Sequence, residues 1–246
     1  MVDFSTKNLT FRRTSIRRVA LGCGHDNEGL FVGAALLGLG HGGLSFPSQL
    51  GWIFDRCFSY CLSNHQAGST PSSTLIFGDA ALPAPGHGAV FARTSSGHTI
   101  IGNIQQWGIR VVFDPSSIIV DSGTTLTYLA KDVYDQVANR VANVMNHERF
   151  YPTKHGFLCY HAENYGDPYE GLSEITFHFA NADWKLPPSN IFIMFGSGMF
   201  CLTIKDGEMP IFGNVAQQNM YELGGHDVGN MLILKANEKH QMKIFI

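Results

Sequence analysis

Short apolar runs, broken at close intervals by turn-forming residues, recur along this sequence and limit the folds that it can adopt. β-branched and aromatic residues cluster in these runs, and Gly, Pro, Ser and Asn separate them. Runs of this length suit strands and are too short for most helices. The pattern therefore predicts a mainly β fold. The candidate strands are residues 8–11, 19–22, 74–77, 109–113, 118–120, 175–179 and 191–194.

One stretch, residues 130–146, has the periodicity of a helix instead. Val133, Val137, Val141 and Val144 recur at close to helical spacing, with Asp, Lys and Gln between them. Apolar residues three or four positions apart lie on one face of a helix. We predict one main helix here, packed through its valines.

Charge and hydropathy exclude two classes of partner. The formal net charge is -3 with only 17 Lys and Arg residues, which is too little positive charge to grip a phosphate backbone. No run of eighteen apolar residues is present, so no membrane span is predicted. Residues 1–6 lack a basic segment followed by an apolar one, so no secretory signal is recognised.

The five cysteines are Cys23, Cys57, Cys61, Cys159 and Cys201. An odd number leaves at least one thiol unpaired if the others form disulfides, so the redox compartment stays open at this point. Cys57 and Cys61 lack a second Cys or His pair at the spacing of a zinc site, and no His-Glu-x-x-His motif is present. We predict no metal site.

Residues 38–43 match the glycine spacing of a dinucleotide-binding loop. Such a loop belongs in a strand–helix–strand unit with an acidic residue about twenty positions later, and neither is found here. We predict no cofactor.

The strongest chemical motif is Asp121-Ser122-Gly123-Thr124, which follows the apolar strand 118–120. The strand brings a carboxylate to its end, Gly123 permits a tight turn, and the hydroxyls of Ser122 and Thr124 can orient the carboxylate by hydrogen bonds. An ordinary Asp-Ser-Gly turn between two strands has the same residues. Taken alone, the motif leaves both interpretations open.

The order of motifs along the chain resembles the plant nepenthesin-like branch of the pepsin-type aspartic proteases. The similarity covers about residues 3 to 79 and 118 to 230. Its matching segments are 19–31, 36–40, 44–49, 57–62, 121–124, the helical stretch from Ala130, Cys159-Tyr160, Phe200-Cys201 and 211–214. The resemblance implies a pepsin-like fold with an incomplete N-terminal lobe and a C-terminal lobe that has one main helix.

The resemblance also suggests a division of the chain. Residues 1–82 are expected to form a remnant of the N-terminal lobe, and residues 118–246 the C-terminal lobe with the Asp-Ser-Gly-Thr loop. Residues 83–117 are predicted to be a linker. Within it, residues 100–106 echo residues 211–218 but stand before Asp121, so this family-like segment is out of order.

The implied activity is that of an aspartic-type endopeptidase acting on polypeptides, with Asp121 as the second aspartate of a dyad. Two nearby carboxylates share a proton, and both are needed for hydrolysis. The first Asp-Thr-Gly loop and the flap are not found in this sequence, and neither Asp79 nor Asp114 stands in the required turn. We therefore expect weak or no activity. Two alternatives stay open: a non-catalytic protease-like binding or regulatory protein, and a truncated gene product without a stable fold.

Three further expectations come from the resemblance. Cys159 and Cys201 are expected to form a disulfide. Two apolar-apolar-Gly segments look like the elements that, in the family, pack beside the two catalytic loops: the Leu36 segment (residues 36–38, Leu-Leu-Gly) and the Ile211 segment (residues 211–213, Ile-Phe-Gly). The N-terminal lobe is therefore expected to keep its element without its catalytic loop. The family is found outside the cell or in the vacuole or plastid, so one of these locations is expected.

Overall fold

The computed structural model describes residues 2–11, 14–25, 36–40, 42–54, 57–64, 73–82, 90–95, 99–100, 102–106, 109–112, 118–150, 156–162, 167, 169, 172–179, 182–196, 198–225 and 230–235. Its strands in chain order are β1 Val2–Phe11, β2 Thr14–Gly24, β3 Cys57–Cys61, β4 Thr74–Phe77, β5 Val90–Ser95, β6 Thr99–Ile100, β7 Gly102–Gln106, β8 Ile109–Val112, β9 Ile118–Val120, β10 Thr127–Leu129, β11 Cys159–His161, β12 Ile175–Phe179, β13 Ala182–Leu186, β14 Phe192–Phe195, β15 Met199–Leu202, β16 Ile204–Asp206, β17 Ile211–Phe212, β18 Met220–Gly225 and β19 Asn230–Lys235.

The helices are few and mostly short, as the sequence predicts. They are α1 Phe46–Gln49, α2 Gly51–Phe54, α3 Lys131–Val144 and α4 Asn214–Gln217, with 3₁₀ turns at Gly78–Ala81 and Pro188–Asn190. The one long helix, α3, lies inside the predicted stretch, and the mainly β prediction is confirmed. No helix in the described ranges is long and apolar enough to cross a membrane.

A ten-stranded sheet joins distant parts of the chain. Its order is β16-β10-β17-β9-β6-β5-β19-β18-β3-β4. Strands β3 and β4 come from the first third of the chain, yet β3 pairs antiparallel with β18 from near the other end. The two predicted lobes therefore share backbone hydrogen bonds in one sheet.

The range 83–117, predicted to be a linker, contains strands β5 to β8. β5 and β6 belong to the ten-stranded sheet, and β6 pairs antiparallel with β9. β7 and β8 extend a second sheet of order β13-β12-β7-β8. Residues 83–89 and 113–117 lie outside the described residues. The division into 1–82, 83–117 and 118–246 stays a prediction.

Two apolar cores lie among the described residues. The first core consists of Ile16, Val19, Phe46, Leu50, Phe58 and Phe77. The second core is larger and surrounds α3, whose Val133, Val137 and Val141 are at most 2% exposed. Phe177, Trp184 and Phe212 form its aromatic centre, each fully buried. Burial of these side chains supplies the main stabilisation of the second half.

A disulfide reinforces the second core. Cys159 on β11 and Cys201 on β15 are direct partners in the antiparallel pair, with Cα atoms 4.0 Å apart, and they are bonded. Both are 2% exposed. The predicted disulfide is confirmed.

Candidate active site around Asp121

The Asp121 carboxylate, at the end of β9, is held by its own loop. Oδ1 accepts a hydrogen bond of 2.8 Å from the Gly123 backbone N–H. Oδ2 accepts one of 2.6 Å from the Thr124 hydroxyl. Because each oxygen has one fixed donor, the plane and direction of the carboxylate are set. The side chain is half-buried, so it can be reached from outside.

Strand β17 holds this loop from the side. It runs parallel to β9, with Phe212 opposite Val120, and separates β9 from β10. The Asp121 N–H donates to the Phe212 carbonyl at 3.1 Å. The next turn is fixed in the same way, because the Asn214 N–H donates to the Thr124 carbonyl at 2.7 Å. The carboxylate therefore lies on a loop whose two ends are hydrogen-bonded to Phe212 and Asn214.

Gly213 is the point of closest approach in this arrangement. A Cβ atom placed on it would lie 2.2 Å from the Leu126 carbonyl oxygen and 2.4 Å from its carbon. Real Cβ atoms do not approach backbone atoms so closely, so only glycine fits. The Gly213 N–H donates to the Thr127 hydroxyl at 3.2 Å. Glycine is required here by space rather than by its dihedral angles, since φ is -82°.

The Leu36 segment has different surroundings from those of the Ile211 segment. Leu36 and Leu37 are 72% and 40% exposed. A Cβ atom on Gly38 would meet nothing within 4 Å. Among the described residues, the Phe46 N–H donates to the Gly38 carbonyl at 2.7 Å.

The four predicted site residues lie together, but their contacts differ from those expected. Thr124 orients the carboxylate through its hydroxyl, as predicted. Ser122 instead meets the network through its backbone carbonyl, which accepts from the Asn214 side-chain amide at 3.3 Å. Gly123 contributes its N–H. The catalytic role of Asp121 stays a prediction.

Sequence reasoning missed a second set of polar residues around the loop. Gln217 donates from Nε2 to the Phe212 carbonyl at 2.6 Å. Tyr60, on β3, donates from its hydroxyl to Gln217 Oε1 at 3.0 Å. The repeated amides in the segment that follows Gly213 were the available signal, because buried amides need hydrogen-bond partners. In the part of the chain that the structure describes, no group of three or more His, Cys, Asp or Glu side chains could hold a metal ion.

Two family models match the chain. One described as xylanase inhibitor C-terminal matches residues 115–233, and one described as xylanase inhibitor N-terminal matches residues 1–79. The chain is 38% identical to Aspartyl protease family protein 2 of Arabidopsis thaliana, over 92% of this chain and 51% of that protein. It is 34% identical to aspartic proteinase nepenthesin-1 of Nepenthes gracilis, over 94% of this chain and 56% of that protein. The chain thus spans about half the length of the curated relatives it matches.

Solved structures share the fold at low sequence identity. The aspartic proteinase from Irpex lacteus matches with a TM-score of 0.72 and 16% identity, over 94% of this chain and 76% of that chain. Basic 7S globulin from soybean matches with a TM-score of 0.71 and 16% identity, over 91% of this chain and 64% of that chain. These matches confirm the predicted pepsin-like fold.

Proposed function

This chain belongs to the plant nepenthesin-like branch of the pepsin-type aspartic proteases, and on that premise we propose that Asp121 is one carboxylate of a peptide-hydrolysing dyad. The observation that carries the proposal is the orientation of its carboxylate. Gly123 and Thr124 each donate to one oxygen, and the Phe212 carbonyl fixes the backbone at the same residue. The Gly123 contact by itself also occurs in ordinary turns, where an Asp side chain accepts from the backbone two residues on. The Thr124 hydroxyl on the second oxygen and the backbone bond to Phe212 add restraints beyond such a turn.

The chemistry of a dyad requires this kind of support. Two carboxylates about 3 Å apart cannot both ionise easily, so they share one proton. The ionised carboxylate then removes a proton from a water molecule, while the protonated one polarises the peptide carbonyl. Each Asp121 oxygen accepts one bond from the loop and keeps lone-pair capacity for the water or the partner carboxyl.

We further propose that the 246-residue chain alone hydrolyses peptides weakly or not at all. Its sequence contains one Asp-Ser/Thr-Gly motif, so Asp121 lacks a partner from a second such loop within these residues. A single carboxylate can act as a base, but it has no acid to protonate or polarise the carbonyl. The partner aspartate has to come from a further polypeptide segment.

The proposed substrates are polypeptides, and the proposed location is extracellular, vacuolar or plastid. The Cys159–Cys201 disulfide supports an oxidising compartment, because such bonds persist in secretory spaces and are rare in the cytosol. We propose no cofactor and no nucleic-acid or membrane partner.

The first test is an assay of the purified chain on a denatured protein at about pH 3 to 5, the range in which a dyad can hold one proton. The chain should hydrolyse no faster than its Asp121→Ala variant. Hydrolysis that the variant abolishes would refute the proposed inactivity.

A chimera tests the role of Asp121 itself. The part of nepenthesin-1 that the chain does not match is joined ahead of this chain, in order to supply the partner loop that the family resemblance implies. The chimera should hydrolyse denatured protein, and the same chimera with Asp121→Ala should lose at least about a thousandfold in rate, as removal of a catalytic group does. A matched Asp132→Ala chimera, altered at an exposed position on α3, should keep its rate. An active Asp121→Ala chimera would reject the dyad assignment.

The alternative is a non-catalytic binding or regulatory protein. The matching family models are described as xylanase inhibitor domains, which supports a fold that binds another protein without cutting it. In that case Asp121→Ala leaves binding unchanged and the chimera stays inactive. Loss of both binding and hydrolysis in Asp121→Ala favours the dyad.

A further inference from the structure

The carbonyl oxygen of Phe212 is a junction between the Asp121 loop and the polypeptide that follows β17. It accepts the Asp121 backbone N–H at 3.1 Å. It also accepts the Gln217 side-chain Nε2 at 2.6 Å. A backbone carbonyl has two lone pairs and can serve both donors. The same atom that fixes the catalytic loop is thus fixed by a side chain five residues further on.

Gln217 is fully buried and uses both ends of its amide. While Nε2 donates to Phe212, Oε1 accepts the Tyr60 hydroxyl at 3.0 Å. Tyr60 lies on β3, 157 residues away in sequence. A buried amide that loses either partner is left with an unsatisfied polar group, which costs free energy. The two bonds therefore fix the position of the Gln217 amide. One side chain therefore connects the first part of the chain to the backbone of the catalytic loop.

The backbone around Gln217 has its own attachments. The Asn190 side-chain amide donates to the Gln218 carbonyl at 2.6 Å, and the Asn219 N–H donates to the Leu62 carbonyl at 2.7 Å. These bonds hold the end of α4 without the Gln217 side chain. The Gln217 side chain is therefore not needed to hold α4 in place. Its hydrogen bond acts on the Phe212 carbonyl instead.

We infer that Gln217 is a positioning residue for the Asp121 loop, and that Tyr60 makes this positioning depend on the first part of the chain. The inference rests on the proposed role of Asp121 in a dyad. Removal of the Gln217 donor leaves the Phe212 carbonyl with the Asp121 N–H alone, so β9 and β17 separate more often at this point. The carboxylate then spends more time away from its catalytic orientation.

Amide hydrogen exchange of Asp121, followed by NMR in ¹⁵N-labelled full chain, tests the inference without any substrate. Gln217→Glu preserves shape and still accepts from Tyr60, but at pH 7 its carboxylate cannot donate to Phe212. Protection of the Asp121 amide should fall about tenfold relative to the amides of Phe177 and Trp184, as loss of one hydrogen bond predicts. On acidification the introduced carboxyl becomes protonated, regains a donor, and should restore protection. Among the described residues, Tyr60 contacts this network through its hydroxyl and Asp121 through its backbone N–H.

Thr203→Val is the matched control. It removes another buried hydrogen bond, from the Thr203 hydroxyl to the Ile191 carbonyl at 2.7 Å, while leaving Phe212 untouched. It should lower the exchange protection of the Asp121, Phe177 and Trp184 amides to the same extent, with no selective loss at Asp121. Equal losses at Asp121 in Gln217→Glu and Thr203→Val, or no recovery of protection on acidification, overturn the inference.

Tyr60→Phe serves as the second variant, since it keeps the ring and removes only the hydroxyl. Protection at Asp121 should fall selectively about threefold, because Gln217 loses one of its two restraints. Unchanged protection of the Asp121 amide would overturn the role assigned to Tyr60. This test stands even if the Gln217→Glu variant does not fold. Exchange is independent of hydrolysis, so an inactive chimera would reject the dyad while leaving this result intact.

Discussion

The Leu36 segment and the Ile211 segment have the same apolar-apolar-Gly pattern in opposite surroundings. Phe212 is fully buried, and Gly213 leaves no room for a Cβ atom beside Leu126. Leu36 is 72% exposed, and Gly38 has open space around its Cα. The pattern by itself therefore does not place the segment against a loop such as that of Asp121. That placement comes from the pair of strands, β9 and β10, that encloses the Ile211 segment.

The contrast has a physical cause in backbone pairing. β17 can lie between β9 and β10 only because Gly213 lets its backbone pass against Leu126 and donate to Thr127. Each strand pair then adds hydrogen bonds that satisfy buried backbone groups. The described residues give the Leu36 segment no strand partner, so its two leucines stay in contact with solvent.

The largest expected difference is between the alanine replacements of the two segment glycines, Gly213 and Gly38. Gly213→Ala should lower the free energy of unfolding by about 4 kcal/mol or more, since a Cβ atom collides with backbone that cannot move alone. Gly38→Ala should change it by less than about 1 kcal/mol, because the site is open. Urea midpoints of the two variants measure the difference.

The same two variants test whether the two segments differ in enclosure. A Gly38→Ala variant as unstable as Gly213→Ala would mean that the Leu36 segment is enclosed as tightly as the Ile211 segment. Near-UV circular dichroism and size-exclusion chromatography of the unaltered chain come first, because the alternative of a chain without a stable fold predicts no tertiary signal.

The second effect concerns the apolar residue before each glycine. Phe212 packs against Phe177, Phe179 and Trp184, with ring centroids 5.1, 5.9 and 4.9 Å away. Phe212→Ala should therefore lower the free energy of unfolding by about 3 to 4 kcal/mol. Leu37→Ala should change it by less than about 1 kcal/mol, since that side chain is 40% exposed. Thermal denaturation followed by circular dichroism compares them, and equal losses would contradict the assignment of burial.

Local features of the fold could be predicted from the sequence. The strands at 74–77, 118–120 and 175–179 have the predicted bounds. The strand predicted at 191–194 begins one residue later, because the Ile191 N–H closes the preceding 3₁₀ turn by donating to the Pro188 carbonyl at 3.0 Å. Hydrophobic periodicity and turn-forming residues are properties of neighbouring positions, so they can be recognised in the sequence itself.

The surroundings of the site could not be predicted in the same way. The pairing of β9 with β17 and the contact of Tyr60 with Gln217 join residues far apart in sequence. No local pattern specifies which strand enters between two others. Within the described ranges, the Leu36 segment has the matching pattern without strand partners. Asp121 and Thr124 could be predicted because the turn brings them together within four residues.

The smallest expected effect is a pH dependence of stability that differs between the two cores. His147 is 9% exposed, and its ring lies edge-on to Phe200 of the second core at 5.0 Å. Burial lowers the pKa of His147 below its ordinary value of 6.5, because the charged imidazolium is disfavoured there. The unfolded chain then binds more protons than the folded one as the pH falls below 6.5. The stability contributed by the neutral ring is complete above that pH and declines as the pH falls through the folded pKa.

Urea midpoints between pH 7.5 and 5.5 should therefore fall more steeply for the unaltered chain than for His147→Gln, which has no imidazole at that position. The other histidines are common to both proteins, so their contributions cancel in the difference. Hydrogen exchange resolved by peptide should place the loss at α3 and β15 and leave the first core, around Phe46 and Phe58, unchanged. Parallel pH profiles of the two proteins would contradict the burial of His147. A loss centred on the first core would show that the two cores respond to acid as one unit, because the shared sheet that pairs β3 with β18 transmits it.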